Sequence, residues 1–240
     1  MSEYGEAPLE ARDLHKHFLT GAGSELRVVQ GVELRVEPGE AVAIIGQSGA
    51  GKSTLLHLLG ALDQPSSGEV LVGGRPVGTL TQDELAVVRN RHIGFVFQFH
   101  HLLRDFTALE NVMMPCLVGD RSRAEATARA EEMLDAVGMS HRLDHRPAQL
   151  SGGEQQRVAV ARAVANEPLI LLADEPSGNL DGPTSEQLHN VLFELKEERH
   201  LSMVVVTHNQ ELADRTDRIL LMKEGSLHSV TSAVPGERYA

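Results

Sequence analysis

The spacing of hydrophobic positions changes along the chain, and each spacing predicts a type of element. VELRV (32–36) alternates apolar and charged residues, which is typical of a strand with one buried face. AVAII (41–45) is apolar throughout, as expected of a strand that is covered on both faces. LILLA (169–173) and MVVV (203–206) are two further predicted strands.

Apolar residues at helical spacing occupy much of the sequence between these strands. TLLHLLGAL (54–62) follows a predicted loop at 46–54 and is expected to be helical. Thr81 and Glu84 form a capping box, which predicts that a helix begins there. In AEATARAEEMLDAVG (124–138) the apolar residues form one stripe and end on a glycine suited to a helix terminus.

This alternation of strands and helices predicts an α/β fold. Consecutive βα units imply right-handed crossovers and a mainly parallel central sheet. We expect residues 1–98 and 165–228 to form the core, which includes an N-terminal antiparallel β subdomain. Residues 99–164 carry no strand pattern and predict an inserted helical subdomain, and 229–240 are expected to be a tail.

The charge balance argues against nucleic-acid binding. The chain has 240 residues, of which 22 are Lys or Arg and 34 are Asp or Glu, giving a formal net charge of -12 without a basic run. The single cysteine, Cys116, favours a reducing, cytosolic compartment, and the N-terminus has no apolar core of a secretory signal. Twelve scattered histidines show no zinc-site spacing, so a structural metal is not expected. No apolar run is long enough to cross a bilayer, so a membrane role requires a partner.

The strongest chemical signal is GQSGAGKS (46–53), which matches the P-loop pattern between a predicted strand and a predicted helix. Its glycines let backbone N–H groups surround phosphates at the positive end of a helix. Lys52 is expected to reach the β- and γ-phosphates of ATP, and Ser53 to ligate Mg²⁺. The alternative is a glycine-rich turn that only begins a helix. The predicted nucleotide-binding residues here are Gly46, Gln47, Ser48, Gly49, Ala50, Gly51, Lys52, Ser53 and Thr54.

Three further predicted strands also run directly into polar residues. Gln98 follows GFVF, Asp174 and Glu175 follow LILLA, and His208 follows MVVVT. Ligands of open parallel sheets collect beyond the carboxyl ends of the strands, so we expect one site there. Asp174 is expected to hold the hydration shell of the magnesium, and Glu175 to polarise the attacking water as a catalytic base.

His208 and Gln98 are each open to two interpretations. His208 is expected to contact the γ-phosphate and order the water, although a histidine after a strand is more often a surface or capping group. Asn209 is the better cap for the next helix. The Gln98 amide is expected to contact the metal or the water, or else to bond only to a loop backbone. The carboxylate pair alone is equally compatible with a solvated acidic turn.

A second candidate anion site lies far along the chain, in LSGGEQQR (150–157). Two glycines and a capping serine are suited to a helix N-terminus that binds phosphate. Because one nucleotide needs only one P-loop, this turn raises the question of whose phosphate it would bind. The simpler alternative is that Ser151 and Glu154 form a capping box for the apolar helix that follows.

Taken in order, GQSGAGKST, Gln98, LSGGEQQ, LILLADEP, SGNLD and His208 resemble the nucleotide-binding subunits of ATP-binding cassette (ABC) transporters. The resemblance extends over nearly the whole chain, and LSGGE is far more specific than the P-loop. It implies a P-loop NTPase of the ABC type, with the signature motif inside the helical subdomain. It also implies an ATPase that uses ATP and Mg²⁺.

The resemblance further implies two subunits that meet head to tail with two ATP molecules between them. Ser151, Gly152 and Gly153 of one subunit would contact the nucleotide held by the P-loop of the other. Asp181, in SGNLD, would link the two sites across the dimer. Phe18, in HKHF, resembles the aromatic residue that stacks on adenine, although the family more often has tyrosine there.

The segment FVFQFHHLLRDFTALENVMMP (95–115) resembles the region where such subunits receive helices of two membrane permeases. The apolar residues expected to line a groove there are Phe99, Leu102, Leu103 and Phe106. The adjacent histidines His100 and His101 are expected to make groove or surface contacts rather than bind one ion. We therefore expect a peripheral protein at the cytoplasmic face of a bacterial inner membrane.

This segment and TLLHLLGALDQPSSGEV (54–70) resemble most closely the ATPase subunits of bacterial lipoprotein-releasing complexes. Such complexes extract lipoproteins from the inner membrane and pass them to a periplasmic carrier, which this chain would meet only indirectly. Related ATPases of macrolide-type efflux and of cell-division signalling to cell-wall hydrolases remain the alternatives. Soluble ABC proteins of DNA repair or translation have a long coiled coil or a second cassette, and this sequence has neither.

Overall fold

A computed structural model describes residues 6–19, 21 and 24–230 of the chain. Its α-helices are α1 Lys52–Leu59, α2 Gln82–His92, α3 Ala108–Val118, α4 Arg123–Ala136, α5 Gly152–Val164, α6 Gly182–Arg199 and α7 Gln210–Asp214. Its strands are β1 Leu9–Leu19, β2 Glu25–Val36, β3 Ala41–Ile45, β4 Ser67–Val72, β5 Arg75–Pro76, β6 Ile93–Phe97, β7 Ile170–Asp174, β8 Ser202–Val206, β9 Arg218–Lys223 and β10 Ser226–Ser229.

The strands form two sheets. The first is antiparallel, in the order β2-β1-β4-β5, and confirms the predicted N-terminal subdomain. The second has the order β10-β9-β3-β8-β7-β6, with parallel pairing throughout except between β9 and β10. The predicted mainly parallel central sheet is therefore confirmed.

Both faces of the central sheet are covered, and all five residues of β3 are buried, as the uninterrupted apolar run AVAII predicted. Along β7, Ile170 and Leu172 belong to a core that also contains α1 and the antiparallel sheet. Leu171 and Ala173 point the other way, into a second core shared with α3, α4, α5 and α6. At about 25 cal/mol per Å² of buried apolar surface, two such layers are the main source of stability.

The first helix begins earlier than its sequence pattern predicted. Residues 46–54 were expected to be a loop, but α1 begins at Lys52 because Gly51 adopts a left-handed conformation (φ 98°) and ends the loop there. The helix also ends at Leu59 rather than at residue 62, and Gly60 forms its C-cap. The correction places Lys52 and Ser53 in the first turn, where free N–H groups point at the loop.

The helical subdomain agrees with its prediction in content. The helices α3, α4 and α5 lie within residues 99–164, and α5 begins with the predicted capping box of Ser151 and Glu154. The exact domain boundaries stay a prediction. The expected tail begins inside β10, and its residues 231–240 lie outside the described part of the chain. Among the described residues, none of the helices combines the length and apolar character that crossing a bilayer requires.

Candidate nucleotide site

The four predicted strand ends converge on one pocket. Because β3, β8, β7 and β6 are parallel neighbours, their carboxyl ends meet at the same edge of the sheet. A cavity of about 460 Å³ opens there. It is lined by Val28, Gly46, Ser48, Gly49, Gly51, Lys52, Ser53, Thr54, Gln98, Asp174, Glu175, Val206 and His208. Two predicted loop residues, Gln47 and Ala50, line an adjoining cleft instead.

The P-loop needs glycine at positions where the backbone is left-handed and crowded. At Gly51, a Cβ atom would lie 2.7 Å from the carbonyl oxygen of Val28, and at Gly46 it would collide with the carbonyl of Met222. Both glycines have positive φ angles, 98° and 150°. A side chain is therefore excluded at two places where the loop must curve around a ligand.

Lys52 is already held in the loop. Its Nζ donates to the carbonyl oxygens of Gly46 (2.8 Å) and Gln47 (3.0 Å). An ammonium group has three hydrogens, so one remains for a phosphate oxygen. These two bonds fix the positive charge at the N-terminus of α1, which lowers the entropic cost of ordering the Lys52 side chain on a phosphate.

Asp174 shows the feature expected of a residue that awaits a cation. Its Oδ1 atom is buried and has no hydrogen-bond partner within the described residues. Burial raises the pKa of the Asp174 carboxyl, the Ser53 hydroxyl bond opposes the rise, and the adjacent Glu175 adds to it. A bound cation would satisfy the orphaned oxygen and relieve the desolvation cost. Ser53 and Asp174 therefore fit Mg²⁺, although no group of three or more His, Cys, Asp or Glu in the described residues is arranged as a metal site.

Glu175 and His208 lie against each other at the ends of β7 and β8. The imidazole Nδ1 of His208 is 2.8 Å from Oε2 of Glu175, and the backbone N–H of His208 donates to the same oxygen at 3.2 Å. Glu175 also has a positive φ angle of 46°, which is strained for a glutamate. The amide of Glu175 donates to Val206 (2.8 Å) and holds this conformation in place.

The side chain of Gln98 is hydrogen-bonded to another side chain, and its expected contact with the metal or the water stays a prediction. Its Nε2 donates to the side-chain oxygen of Asn179 at 3.0 Å, and Nδ2 of Asn179 donates back to the carbonyl oxygen of Gln98 at 3.1 Å. The side chain still lines the pocket. The hydrogen-bonding partner of the Gln98 side chain is thus the side chain of Asn179, which the sequence did not predict.

The residues that line this pocket do not include Ser151, Gly152 or Gly153, which we call the signature turn. Ser151 instead accepts from the N–H of Glu154, whose side chain accepts from the N–H of Ser151, so the capping box is present. A Cβ on Gly153 would collide with the side chain of Thr184, and one on Gly152 would lie 3.6 Å from Leu180. The lack of a side chain at Gly153 therefore lets the turn pack against the start of α6 in the same chain, whereas the distance at Gly152 is an ordinary contact.

Asp181 and Phe18 also lie away from the pocket lining. Asp181 is the N-cap of α6 and accepts from the N–H of Thr184 at 2.9 Å, and this bonding lowers its pKa. Phe18 is 43% exposed on β1, and the ammonium of Lys16 lies 5.0 Å from the centre of its ring. The roles expected for Ser151, Gly152, Gly153, Asp181 and Phe18 therefore stay predictions.

The ABC transporter family matches residues 29–178, more than half of the chain. This chain belongs to the ABC transporter family. Its motifs thus identified the family correctly. The solved dimeric structure of the ATP-binding cassette MJ0796 bound to ADP and Pi superposes with a TM-score of 0.84 at 39% identity, covering 94% of this chain and 100% of that one. The expected fold class is thereby confirmed.

Curated relatives are similar over almost their whole length. The chain is 48% identical over 223 residues to the lipoprotein-releasing system ATP-binding protein LolD of Idiomarina loihiensis, covering 93% of this chain and 97% of that protein. It is 52% identical over 226 residues to LolD 2 of Chlorobaculum tepidum, covering 92% of each. These are the relatives that the resemblance in the Gln98 segment led us to expect.

One buried hydrogen bond next to the site was not predicted from the sequence. His189 of α6 is 2% exposed, and its Nε2 lies 2.9 Å from the hydroxyl of Ser177. Ser177 follows Glu175 by two residues, so the bond attaches the loop after β7 to α6. The local sequence does not indicate this hydrogen bond. His189 lies on the buried face of α6, where apolar residues are expected, and Ser177 is in a different element.

Proposed function

We propose that this chain is the ATP-hydrolysing subunit of a complex that releases lipoproteins from a bacterial inner membrane towards the outer membrane. ATPase activity follows from family membership and is supported by one observation above all: Glu175 and the P-loop face the same pocket at the edge of the central sheet. The lipoprotein assignment is supported by the relatives named LolD, which are about half identical over more than nine-tenths of this chain.

The hydrolytic step uses groups that are already in place. Backbone N–H groups of the P-loop and the ammonium of Lys52 hold the phosphates of ATP at the N-terminus of α1. Glu175 accepts a proton from the attacking water, and His208 fixes the orientation of its carboxylate through Oε2. Ser53, Gln98 and Asp174 would hold Mg²⁺, which would supply positive charge next to the phosphate oxygens.

Two copies acting head to tail explain why the signature turn lies outside the pocket of its own chain. The Ser151–Gly153 turn and Asp181 pack side by side through Leu180 and Thr184. They thus form one polar surface at two helix N-termini. In a head-to-tail pair this surface would cover the ATP held by the partner. The solved MJ0796 cassettes are dimeric, which supports this arrangement here.

The membrane subunits would dock on the segment after Gln98. Phe99 is 65% exposed at a cavity of about 540 Å³. The cavity is lined by Phe99, His100, His101, Leu102, Arg104, Pro147, Ala148 and Gln155. Leu102 also packs against the helical core, so it contributes less free apolar surface than expected. Through two permeases, the chain would sit at the cytoplasmic face of the membrane.

The segment after Gln98, on which the membrane subunits would dock, is hydrogen-bonded to α5, the helix that begins with Ser151–Gly153. We call it the docking segment. These bonds give a physical route by which movement of the membrane subunits would be coupled to the signature turn. The guanidinium of Arg162, on α5, donates to the carbonyl oxygens of His101 (2.7 Å) and His100 (2.8 Å). The two histidines are thus anchored through their backbones. Burial lowers the pKa of His100, and contact with the Gly152 backbone opposes this effect. A displacement of the docking segment would therefore move α5 and its signature turn.

Reconstitution tests this function. The chain is purified with the membrane proteins that bind it, the partners are identified by mass spectrometry, and the complex is placed in liposomes that contain a lipoprotein. We expect ATP to release the lipoprotein to a soluble periplasmic carrier, and Glu175→Gln to abolish release. Recovery of an efflux or cell-division permease, with no lipoprotein released, would refute the cargo assignment and leave the ATPase intact.

A further inference from the structure

Asn179 and Gln98 are joined by a reciprocal pair of hydrogen bonds although they are far apart in sequence. The Nε2 of Gln98 donates to Oδ1 of Asn179, and the Nδ2 of Asn179 donates to the backbone oxygen of Gln98. Gln98 follows β6, and Asn179 lies in the loop between β7 and α6. Because β6 and β7 are paired, the two residues meet at the edge of the pocket.

The pair determines which end of the Gln98 amide is free. A backbone carbonyl can only accept, so the Asn179 amide must present its nitrogen to Gln98 O. Its oxygen then faces the Gln98 side chain and requires a donor. Only Nε2 of Gln98 can supply one, and this leaves Oε1 as the free end of the amide. An amide oxygen, and not the NH₂ group, is what a magnesium ion accepts as a ligand.

We propose that Asn179 is a positioning residue for the metal: it holds the Gln98 amide so that Oε1 serves the cation bound by Ser53 and Asp174. The proposal rests on the proposed function, since it assumes that MgATP occupies the pocket. The orphaned Oδ1 of Asp174 supports a cation at this place independently of Gln98. Removal of a residue that holds a metal ligand in place by hydrogen bonding changes metal affinity by about 10–100-fold.

A role for Asn179 as a mere tie between two loops predicts a different result. If Asn179 only connects the two loops, its removal would affect folding, or would weaken the binding of ATP equally with and without Mg²⁺. A positioning role affects only the increment in affinity that Mg²⁺ adds. The useful quantity is therefore the ratio of the ATP affinities at saturating Mg²⁺ and in EDTA, measured by calorimetry in the non-hydrolysing Glu175→Gln protein.

We expect Asn179→Ala to reduce this ratio by roughly 10-fold and to leave the affinity in EDTA unchanged. Asn190→Ala is a matched control, because Asn190 is also exposed and accepts a side-chain hydrogen bond from Arg215 outside the pocket. Its ratio should equal that of the parent. Asn179→Leu, which removes the same bonds and keeps the volume, should repeat the effect of Asn179→Ala.

A double-mutant cycle completes the test. If Asn179 acts through Gln98, the Gln98→Ala and Asn179→Ala changes together should reduce the ratio no more than Gln98→Ala alone. Full additivity of the two changes, or an unchanged ratio in Asn179→Ala, would overturn the proposal. Failure of the Glu175→Gln parent to bind ATP under either condition would instead count against the proposed function.

Discussion

The Nδ1 atom of His208 lies 2.8 Å from Oε2 of Glu175, and the backbone N–H of His208 reaches the same oxygen. The two residues end neighbouring parallel strands, so the contact follows from the sheet register rather than from a flexible loop. One carboxylate oxygen is thus occupied and the other is left to act on water. The strained backbone of Glu175 is held in place by this arrangement.

His208→Ala tests this contact. Without the imidazole, Glu175 keeps only the backbone bond and its carboxylate is free to rotate. We expect kcat for ATP hydrolysis to fall by roughly 10²-fold, since orientation of a general base contributes on that scale. His228→Ala, on exposed β10, should hydrolyse ATP at the parental rate. An unchanged kcat in His208→Ala would show that Glu175 is oriented by other means.

Ser151→Arg separates the two interpretations of the signature turn. Loss of the cap should cost about 1 kcal/mol of unfolding free energy, whereas loss of a bond to a charged phosphate should abolish ATP-dependent dimerisation. Ser122→Arg is the matched control, because Ser122 and Glu125 form the same capping box at α4. Both variants should lose similar stability and still bind ATP at the P-loop. Only Ser151→Arg should fail to dimerise and hydrolyse, as measured by light scattering and phosphate release.

Phe18 is expected to form a stacking platform with one usable face. Lys16 lies over the ring and is itself held by Asp63 at 2.8 Å, so the other face remains for adenine. Phe18→Ala should weaken ATP binding by roughly 1–3 kcal/mol and leave the binding of inorganic triphosphate unchanged. Val87→Ala removes an exposed apolar side chain from α2 and should change neither. Equal losses for ATP and triphosphate would exclude stacking.

The pH dependence of stability should report the buried His189. Burial lowers the pKa of His189 below its ordinary value of 6.5, the positive charge of Arg215 adds to this, and Glu186 opposes it. As pH falls through 6.5 the unfolded chain therefore gains a proton that the folded chain does not, and stability decreases until the folded pKa is reached. The loss is limited to about 1.4 kcal/mol per pH unit.

His189→Gln keeps a hydrogen-bonding group next to Ser177 but does not titrate. Urea unfolding at several pH values between neutrality and mild acid should give a shallower decline for this variant than for the parent. The comparison cancels the contributions of His92 and His100, whose pKa values burial also lowers. Parallel curves would mean that folding does not lower the pKa of His189.

The sequence predicted what local patterns encode. Apolar runs gave the buried strands, and the capping box at Thr81 marked the true start of α2. The apolar pattern of residues 54–62 placed the start of α1 too late. The helix begins at Lys52 because Gly51 is left-handed, and that conformation is a property of the folded loop. The pairs Gln98–Asn179 and Ser177–His189 were not predictable, since only strand pairing and helix packing bring these side chains together.

The central claim is that each ATP is held by the P-loop of one chain and the signature turn of the other. Mixed dimers test it most directly, in a Glu175→Gln background that prevents hydrolysis. Lys52→Ala disables one P-loop, and Ser151→Arg disables one signature turn. When the two changes are on different chains, the account leaves one intact composite site; when both are on one chain opposite an unchanged partner, both sites are damaged.

We therefore expect ATP to drive association of Lys52→Ala chains with Ser151→Arg chains, measured by fluorescence energy transfer between labelled chains. Chains that carry both changes should not associate with unchanged partners in response to ATP. The reverse pattern, in which only the doubly changed chain pairs with an unchanged one, would mean that each chain completes its own site and would contradict the account.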